Sequence, residues 1–348
     1  AGIAHRVLSW TGEMPARGLA GAARGARHRL LAEAARSLGA RVILMGHTAD
    51  DRLEGSRMRR AGLRLSDPAE WAPSPVWPEG RGLFILRPLL HARRAALRAW
   101  LDAGGETWIE DPANDDPASP RARARMAGTT GEEPPPICAD RRARGPGFAV
   151  GAGGDIGLSR EDLAAAEPRD ARRALGTAVL CAAGTDAPPD RAALDRLLRS
   201  LAGDEPFVAS LAGARIRLDG PLVRVAREAG ALRRAGARPV DLPPGSAVVW
   251  DGRFAIEARK PGLAVTALSG LAGQLPRDQA RALRRLPADA RGALPAIVDA
   301  AGAVVCPLMG DAPAVRLRPL IEARFVAACG WVRHEAAIGR VAETPPTP

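Results

Sequence analysis

Val42-Ile-Leu-Met-Gly-His-Thr-Ala-Asp-Asp-Arg-Leu-Glu-Gly-Ser-Arg-Met-Arg59 is an apolar run that opens directly into clustered ionisable side chains. A short continuous apolar stretch ending in glycine reads as a buried parallel strand over Val42–Met45, with Gly46 letting the backbone turn. His47, Asp50, Asp51 and Glu54 then stand at the strand's carboxyl end and on the following helix, where open α/β sheets bind ligands. The same residues carry a second reading. Asp51 with Glu54 three positions on is also a helix N-terminus signature, in which carboxylates satisfy unpaired backbone N–H groups and the helix dipole. His47 reads either as a catalyst or as a hydrogen-bonded structural residue.

Outward from this stretch the pattern is β-α-β-α. Ala4 to Trp10 alternate as a strand does, and Ala16 to Leu38 carry helical spacing that ends at Gly39. Strand Arg41–Gly46 and a helix from Asp51 to Arg60 follow, then a strand over Leu83–Leu86 and a helix over Arg93–Ala103 that stops at Gly104-Gly105. Residues 62–82 and 127–157 are rich in Pro and Gly without periodicity, the first predicting a long loop and the second a linker. Beyond it, Arg160 to Leu201 show helical spacing broken at Pro168 and at Asp186–Pro189. Short strands are then predicted at Ala214–Leu218, Leu222–Val225, Ala247–Trp250, Phe254–Glu257 and Ala303–Cys306. The expected organisation is a catalytic domain over 1–127, a linker over 128–157, a helical domain over 158–206, an α+β domain over 207–335 and a disordered tail over 336–348.

With 348 residues, of which 46 % are hydrophobic, the chain is long enough for two or three globular domains. No apolar segment approaches the roughly 18 residues of a membrane helix and no signal peptide pattern opens the chain, which predicts a cytoplasmic protein without membrane contact. The formal charge of +11 points to a polyanion such as nucleic acid. All but one of the 50 basic residues are arginine and tyrosine is absent, a composition that a GC-rich genome produces as well. Cys138, Cys181, Cys306 and Cys329 are too far apart for a zinc knuckle and form no disulfide framework, so they read as reduced, packed thiols.

The ordered motifs of the first domain resemble one family. They are Trp10-Thr-Gly-Glu-Met-Pro15, Ala23-Arg-Gly-Ala-Arg27 with Leu30-Leu31, Gly46-His-Thr-Ala-Asp-Asp51 with Glu54 and Arg57, Leu86-Arg-Pro-Leu-Leu90, Trp108-Ile-Glu-Asp-Pro-Ala-Asn-Asp115, and Arg121, Arg123 and Arg125. With Leu211-Ala-Gly-Ala-Arg215, Arg227-Glu228 and Val249-Trp-Asp-Gly-Arg-Phe254 downstream, the chain resembles the tRNA(Ile)-lysidine synthases, members of the PP-loop ATP pyrophosphatases. The resemblance implies a Rossmann-like parallel sheet of the adenine nucleotide hydrolase type, followed by a small helical domain and a C-terminal α+β domain that binds tRNA. It implies a two-step ligation on a tRNA(Ile) with a CAU anticodon. ATP, held with Mg²⁺, adenylates the C2 oxygen of the first anticodon cytidine, and the ε-amine of free L-lysine then displaces AMP. On this likeness Asp50, Asp51, Glu54 and His47 are expected to be catalytic, with Asp50 and Asp51 as Mg²⁺ ligands. Arg24, Arg27, Arg57, Arg87, Asp111, Asn114, Arg121, Arg123 and Arg125 are expected to bind substrate or tRNA. The oligomeric state is left open, a homodimer being one alternative.

The sequence also departs from the family. Its phosphate loop, Ser-Gly-Gly-x-Asp-Ser, is not in these residues, and an N-terminal segment carrying two strands and that loop is expected ahead of them. Gly151-Ala-Gly-Gly-Asp155 is only superficially similar to it. Arg52 and Gly55 stand where the family's acidic motif has Gln and Thr, Arg27-His28 replaces Arg-Tyr, and Arg121-Ala-Arg-Ala-Arg125 lacks the usual Asn. A homologue that binds tRNA without catalysis is therefore the alternative. A tRNA thiolase of the same superfamily is disfavoured by the absence of paired cysteines.

Overall fold

In a computed structural model, which describes residues 3–12, 14–15, 18–63, 68–110, 120–126, 132–134, 147–203, 207–236 and 238–330, the quoted apolar run is a strand leading into a capped helix. The chain divides into two units, Ala1–Ser74 with Gly82–Arg141 and Pro75–Arg81 with Arg142–Pro348.

The first unit contains α1 (Leu19–Ser37), β1 (Val42–Leu44), α2 (Ala49–Arg60), β2 (Trp71–Pro73), β3 (Phe84–Leu86), α3 (Arg94–Ala103) and α4 (Pro120–Met126). β1 runs parallel to β3, Val42 opposite Phe84, and β2 runs antiparallel to β3 on its other side. The predicted parallel strand and its β-α order are thus present. Three local expectations are corrected. Ala4–Trp10 forms no strand and is exposed along most of its length, because its alternating residues find no sheet to join among the described residues. The loop expected over 62–82 contains β2, whose Trp71 stacks on Phe84 with ring centroids 4.9 Å apart. β1 is only half-buried and Leu44 is 67 % exposed, since within the described residues it pairs with β3 alone. Leu53 of α2, Phe84 and Ile85 of β3, and the flanking Leu83 and Leu90 are the large buried apolar residues of this unit among those described.

Helix α2 begins at Ala49, two residues ahead of the predicted Asp51, and its cap is Thr48 with Asp51 and not Asp51 with Glu54, for a local reason. Thr48 is extended at φ −115°, and its backbone N–H and hydroxyl both donate to Asp51 Oδ2, at 2.7 and 2.8 Å. This is a capping box with Asp at the third helical position.

The second unit begins with β4 (Phe148–Val150) and β5 (Ile156–Ser159), continues through α5 (Arg160–Ala165), α6 (Pro168–Ala183) and α7 (Arg191–Leu201), and returns in β6 (Val208–Leu211), β7 (Ala214–Asp219) and β8 (Leu222–Arg227). These strands form an antiparallel sheet in the order β4-β5-β8-β7-β6. Helix α6 buries ten residues, mostly Ala, Gly and Leu. Residues 147–157, within the stretch read as linker, supply β4 and the turn into β5. Gly151 to Asp155 is that turn: Gly151 N–H donates to Asp155 O at 2.9 Å, and the buried Asp155 carboxylate pairs with Arg224. It is a hairpin and not a phosphate loop.

Then come α8 (Ala229–Arg234), β9 (Val240–Asp241), β10 (Ala247–Trp250), β11 (Phe254–Ala258), β12 (Leu263–Ala267), α9 (Arg277–Arg284), α10 (Ala288–Arg291), β13 (Pro295–Asp299), β14 (Val304–Val305), β15 (Val315–Pro319) and α11 (Ile321–Ala328). They build two further antiparallel sheets, β10-β11-β15 and β14-β13-β12-β9. Strands β6, β9, β12, β13 and β15 were not read from sequence, and Ala303–Cys306 contributes the two-residue β14. The larger of two apolar clusters in this unit joins Leu175, Val179 and Leu194 of the helices to Ile216, Val225, Ile256 and Phe325, and the smaller gathers Leu268, Leu283, Leu294 and Met309.

Arg227, Asp251 and Arg253 are buried beside that core. Asp251 accepts from Arg227 through both oxygens, at 3.1 and 3.0 Å, and from Arg253 Nε at 2.7 Å. The turn that carries Asp251 presses on the end of α6: Gly184 sits at φ 69°, and a Cβ there would lie 1.9 Å from the Asp251 carbonyl oxygen. Only glycine fits. Cys181, Cys306 and Cys329 are buried and free, and burial pushes their thiols up to about 12, 11 and 12. Cys138 and residues 336–348 lie outside the described residues.

Candidate active site

Asp50, Asp51 and Glu54 occupy the first turns of α2, and each carboxylate is taken by a different set of donors. Asp50, 5 % exposed, reaches out of its own helix: its Oδ2 accepts the backbone N–H of Arg94 at 2.7 Å, and its Oδ1 lies 3.2 Å from the Arg93 guanidinium. It therefore caps the start of α3, which otherwise would begin with two arginines at the positive end of its dipole. Asp51 caps α2 through Thr48 and pairs with Arg121 at 2.9 Å. Burial pushes its carboxyl up, but the Thr48 donors, Arg121 and His47 outweigh this and hold it below its usual value.

Glu54 is wholly buried. Its Oε1 meets Arg125 Nε at 3.0 Å and Arg94 at 3.3 Å, and its Oε2 meets Arg121 Nε at 3.2 Å. One carboxylate thus gathers three guanidiniums from two other helices. Arg57, on the next turn of α2, donates to Ala124 O at 3.0 Å and pairs with Glu132 at 2.5 Å, tying α2 to α4. Arg123 is exposed on α4.

A second group surrounds His47 on the sheet side. Arg87, just after β3, is 8 % exposed and donates to Ala69 O at 2.7 Å, while its buried Nε has no hydrogen-bond partner among the described residues. Arg24 and Arg27 lie exposed on α1, with His28 buried beside them. Burial, then Arg24, Arg87 and Arg27, lower the His28 pKa to about 4. Burial lowers His47 as well, with Arg87, Arg121 and Arg24 reinforcing it and Asp51 opposing. Burial and Arg24 also lower Arg87. The imidazoles are consequently neutral near pH 7, and the guanidiniums lie within electrostatic reach of one another. Such a cluster attracts phosphate charge.

The structure therefore brings together His47, Asp50, Asp51, Glu54, Arg57, Arg121 and Arg125, with Arg24, Arg27 and Arg87 around His47 and His28. Asp111 and Asn114 lie outside the described residues. Sequence reading did not single out Arg93 and Arg94. Their one local signal was a basic pair at a helix N-terminus, which opposes the dipole and so needs an acid from elsewhere.

Residues 1–128 match the model of the PP-loop domain family. Over 343 aligned residues the chain is 44 % identical to tRNA(Ile)-lysidine synthase of Caulobacter vibrioides, covering 96 % of this chain and 81 % of that protein. It is 35 % identical to the protein of the same name from Hyphomonas neptunium, over 75 % of this chain and 72 % of that one. For the one from Rhizobium meliloti the identity is 34 %, over 76 % of this chain and 62 % of that protein.

Proposed function

Because this chain belongs to the tRNA(Ile)-lysidine synthase family, we propose that it is the ligase that joins free L-lysine to the cytidine opening the CAU anticodon of tRNA(Ile) at the expense of ATP. The observation that carries this is the similarity along nearly the whole chain to the Caulobacter protein. In the first step the C2 oxygen of the base attacks the α-phosphate of ATP, and pyrophosphate leaves. In the second, the lysine ε-amine attacks C2, the C2–O bond breaks, AMP departs, and the amine sheds its proton.

The site supports this reading through its charge. Arg24, Arg27 and Arg87, whose buried Nε has no hydrogen-bond partner among the described residues, suit the phosphates of ATP or of the tRNA backbone. Arg57, Arg121, Arg123 and Arg125 on α2 and α4 suit the tRNA strand near the reacting base. His47, kept neutral by burial, suits proton transfer from the lysine ammonium, and Asp111 and Asn114 are assigned to the lysine or base pocket. A cytoplasmic location is proposed on the same basis; no helix among the described residues is long and apolar enough to cross a membrane.

Magnesium does not fit the residues assigned to it. Both oxygens of Asp50 and both of Asp51 face N–H or O–H donors, two of them the guanidiniums of Arg93 and Arg121, which repel a dication. Among the described residues no group of three or more His, Cys, Asp or Glu side chains could hold a metal ion. We therefore assign Asp50 and Asp51 to holding α2 and α3 in place.

The test is ATP-dependent incorporation of labelled lysine into a tRNA(Ile) transcript with a CAU anticodon, by protein expressed with whatever residues its gene places ahead of Ala1. Incorporation that needs both ATP and the first anticodon cytidine is expected. Intact tRNA binding without incorporation would instead establish a tRNA-binding homologue without catalysis.

A further inference from the structure

Pro75–Arg81 lies between β2 and β3 in sequence but belongs to the second unit, while Ser74 and Gly82 on either side of it belong to the first. A free hairpin tip would be solvated throughout. Here Pro75 and Gly82 at the two ends are exposed, whereas Val76 and Gly80 are buried and Trp77 is half-buried. Two different interactions anchor Trp77. Its indole N–H donates to Gly252 O at 2.6 Å, and the Arg324 guanidinium lies 4.3 Å from its ring centroid. Both partners are themselves fixed. Gly252 sits in the turn that Asp251 pins to Arg227 and Arg253, and Arg324 donates to Leu180 O at 3.3 Å and to Thr185 O at the end of α6. At the other end of the hairpin, Ser74 N–H donates to Leu83 O at 2.9 Å and Arg87 N–H to Glu70 O at 2.8 Å. The tip and the site residue Arg87 are therefore joined through one antiparallel pair of strands.

We propose that Pro75–Arg81 is a strap, seated on the second unit through Trp77, that couples the local stability of the β2–β3 pair, and with it the backbone of Arg87, to the seat made by Gly252 and Arg324. The inference goes beyond the ligase assignment and does not depend on it. A tip that merely rests on a surface makes a different prediction: disturbing the seat from the side of the second unit would leave β2 and β3 untouched.

The experiment is native-state amide hydrogen exchange of the full chain, read at Ser74 and Arg87 in the hairpin and in α6 and α11 of the second unit. Trp77→Ala is expected to speed exchange about ten- to a hundredfold at both places. Arg324→Lys disturbs the seat alone, keeping the charge and losing the flat fork against the indole, and is expected to speed Ser74 and Arg87 about three- to thirtyfold. Exchange of Ser74 and Arg87 within about twofold of wild type in Arg324→Lys overturns the proposal, whatever α6 and α11 do. So does Trp77→Ala that speeds the hairpin alone, or neither place. If Trp77→Ala fails to fold, Trp77→Phe decides, because it keeps the stack and loses only the N–H donor. Exchange about three- to tenfold faster at both places then supports the strap, and wild-type exchange overturns it.

Discussion

Replacing Asp251 by Asn separates charge from shape at the most deeply buried ionic group of the second unit. Asp251 occupies the left-handed region at φ 49°, which Asn tolerates, so the turn is not strained by the change. The side chains of Arg227, Asp251 and Arg253 are 7, 8 and 1 % exposed. After substitution the amide carries no charge, and its NH₂ group faces guanidinium N–H groups that have nothing to accept from it. Arg227 keeps the Gly213 carbonyl at 2.9 Å, and Arg253 keeps the Ala293 carbonyl and its stack on Phe254 at 4.9 Å. Two buried cations nonetheless lose their only acid among the described residues, and breaking a buried pair costs about 3–5 kcal/mol. An internal control is at hand in Asp289, which is 24 % exposed and meets Arg217 at 3.3 Å and Arg215 at 3.6 Å near the surface. Asp289→Asn should cost less than about 1 kcal/mol. The two units need not unfold together, so the quantity to measure is amide hydrogen exchange of β8, β10 and β11 under native conditions. A loss below about 1 kcal/mol for Asp251→Asn, or one no larger than for Asp289→Asn, would refute the reasoning.

Asp50→Asn should destabilise the first unit by about 1–2 kcal/mol through the lost charge at the start of α3, while leaving the magnesium dependence of lysine incorporation unchanged; a large shift in that dependence would make Asp50 a metal ligand after all. His28 titrates in the folded state at about 4, below its unfolded value of 6.5, so the unfolded chain takes up the proton first as pH falls. Its contribution is present above pH 6.5 and is lost progressively toward pH 4, up to about 3 kcal/mol. Proton NMR of the ring should show a midpoint near 4, and a midpoint near 6.5 would contradict the burial described. Gly184→Ala combines a left-handed backbone with a clash against Asp251 O, and a loss of about 2–5 kcal/mol or failure to fold is expected in chemical denaturation.

Much of the site's backbone was legible because its causes are local. An apolar run ended by Gly46 makes β1, and the acid-rich turn after it starts α2, although the cap is Thr48 with Asp51, one turn earlier than the Asp51 with Glu54 read from sequence. The strand over Leu83–Leu86 and the order of motifs across the first domain were readable for the same reason, but that this strand lies parallel to β1 came only from the fold. Strands such as β12 and β13 were not, because an apolar segment of five residues becomes a strand only when another lies beside it, here Val265 opposite Ile297. The alternating stretch Ala4–Trp10 shows the converse: it has no partner among the described residues, and periodicity alone does not make a strand.

By itself the sequence determined the family, the acid-rich turn after β1 and the excess of arginine around it. Tertiary structure decided what each acid does. Asp50 belongs to the helix it caps, 44 residues away in sequence, and Glu54 holds arginines 40, 67 and 71 residues away. Residue type and spacing place a carboxylate on a helix face, but its role depends on which donors the fold carries to its oxygens. Here folding carries arginines to all three, which makes the carboxylates of the quoted stretch the scaffold of a cationic site.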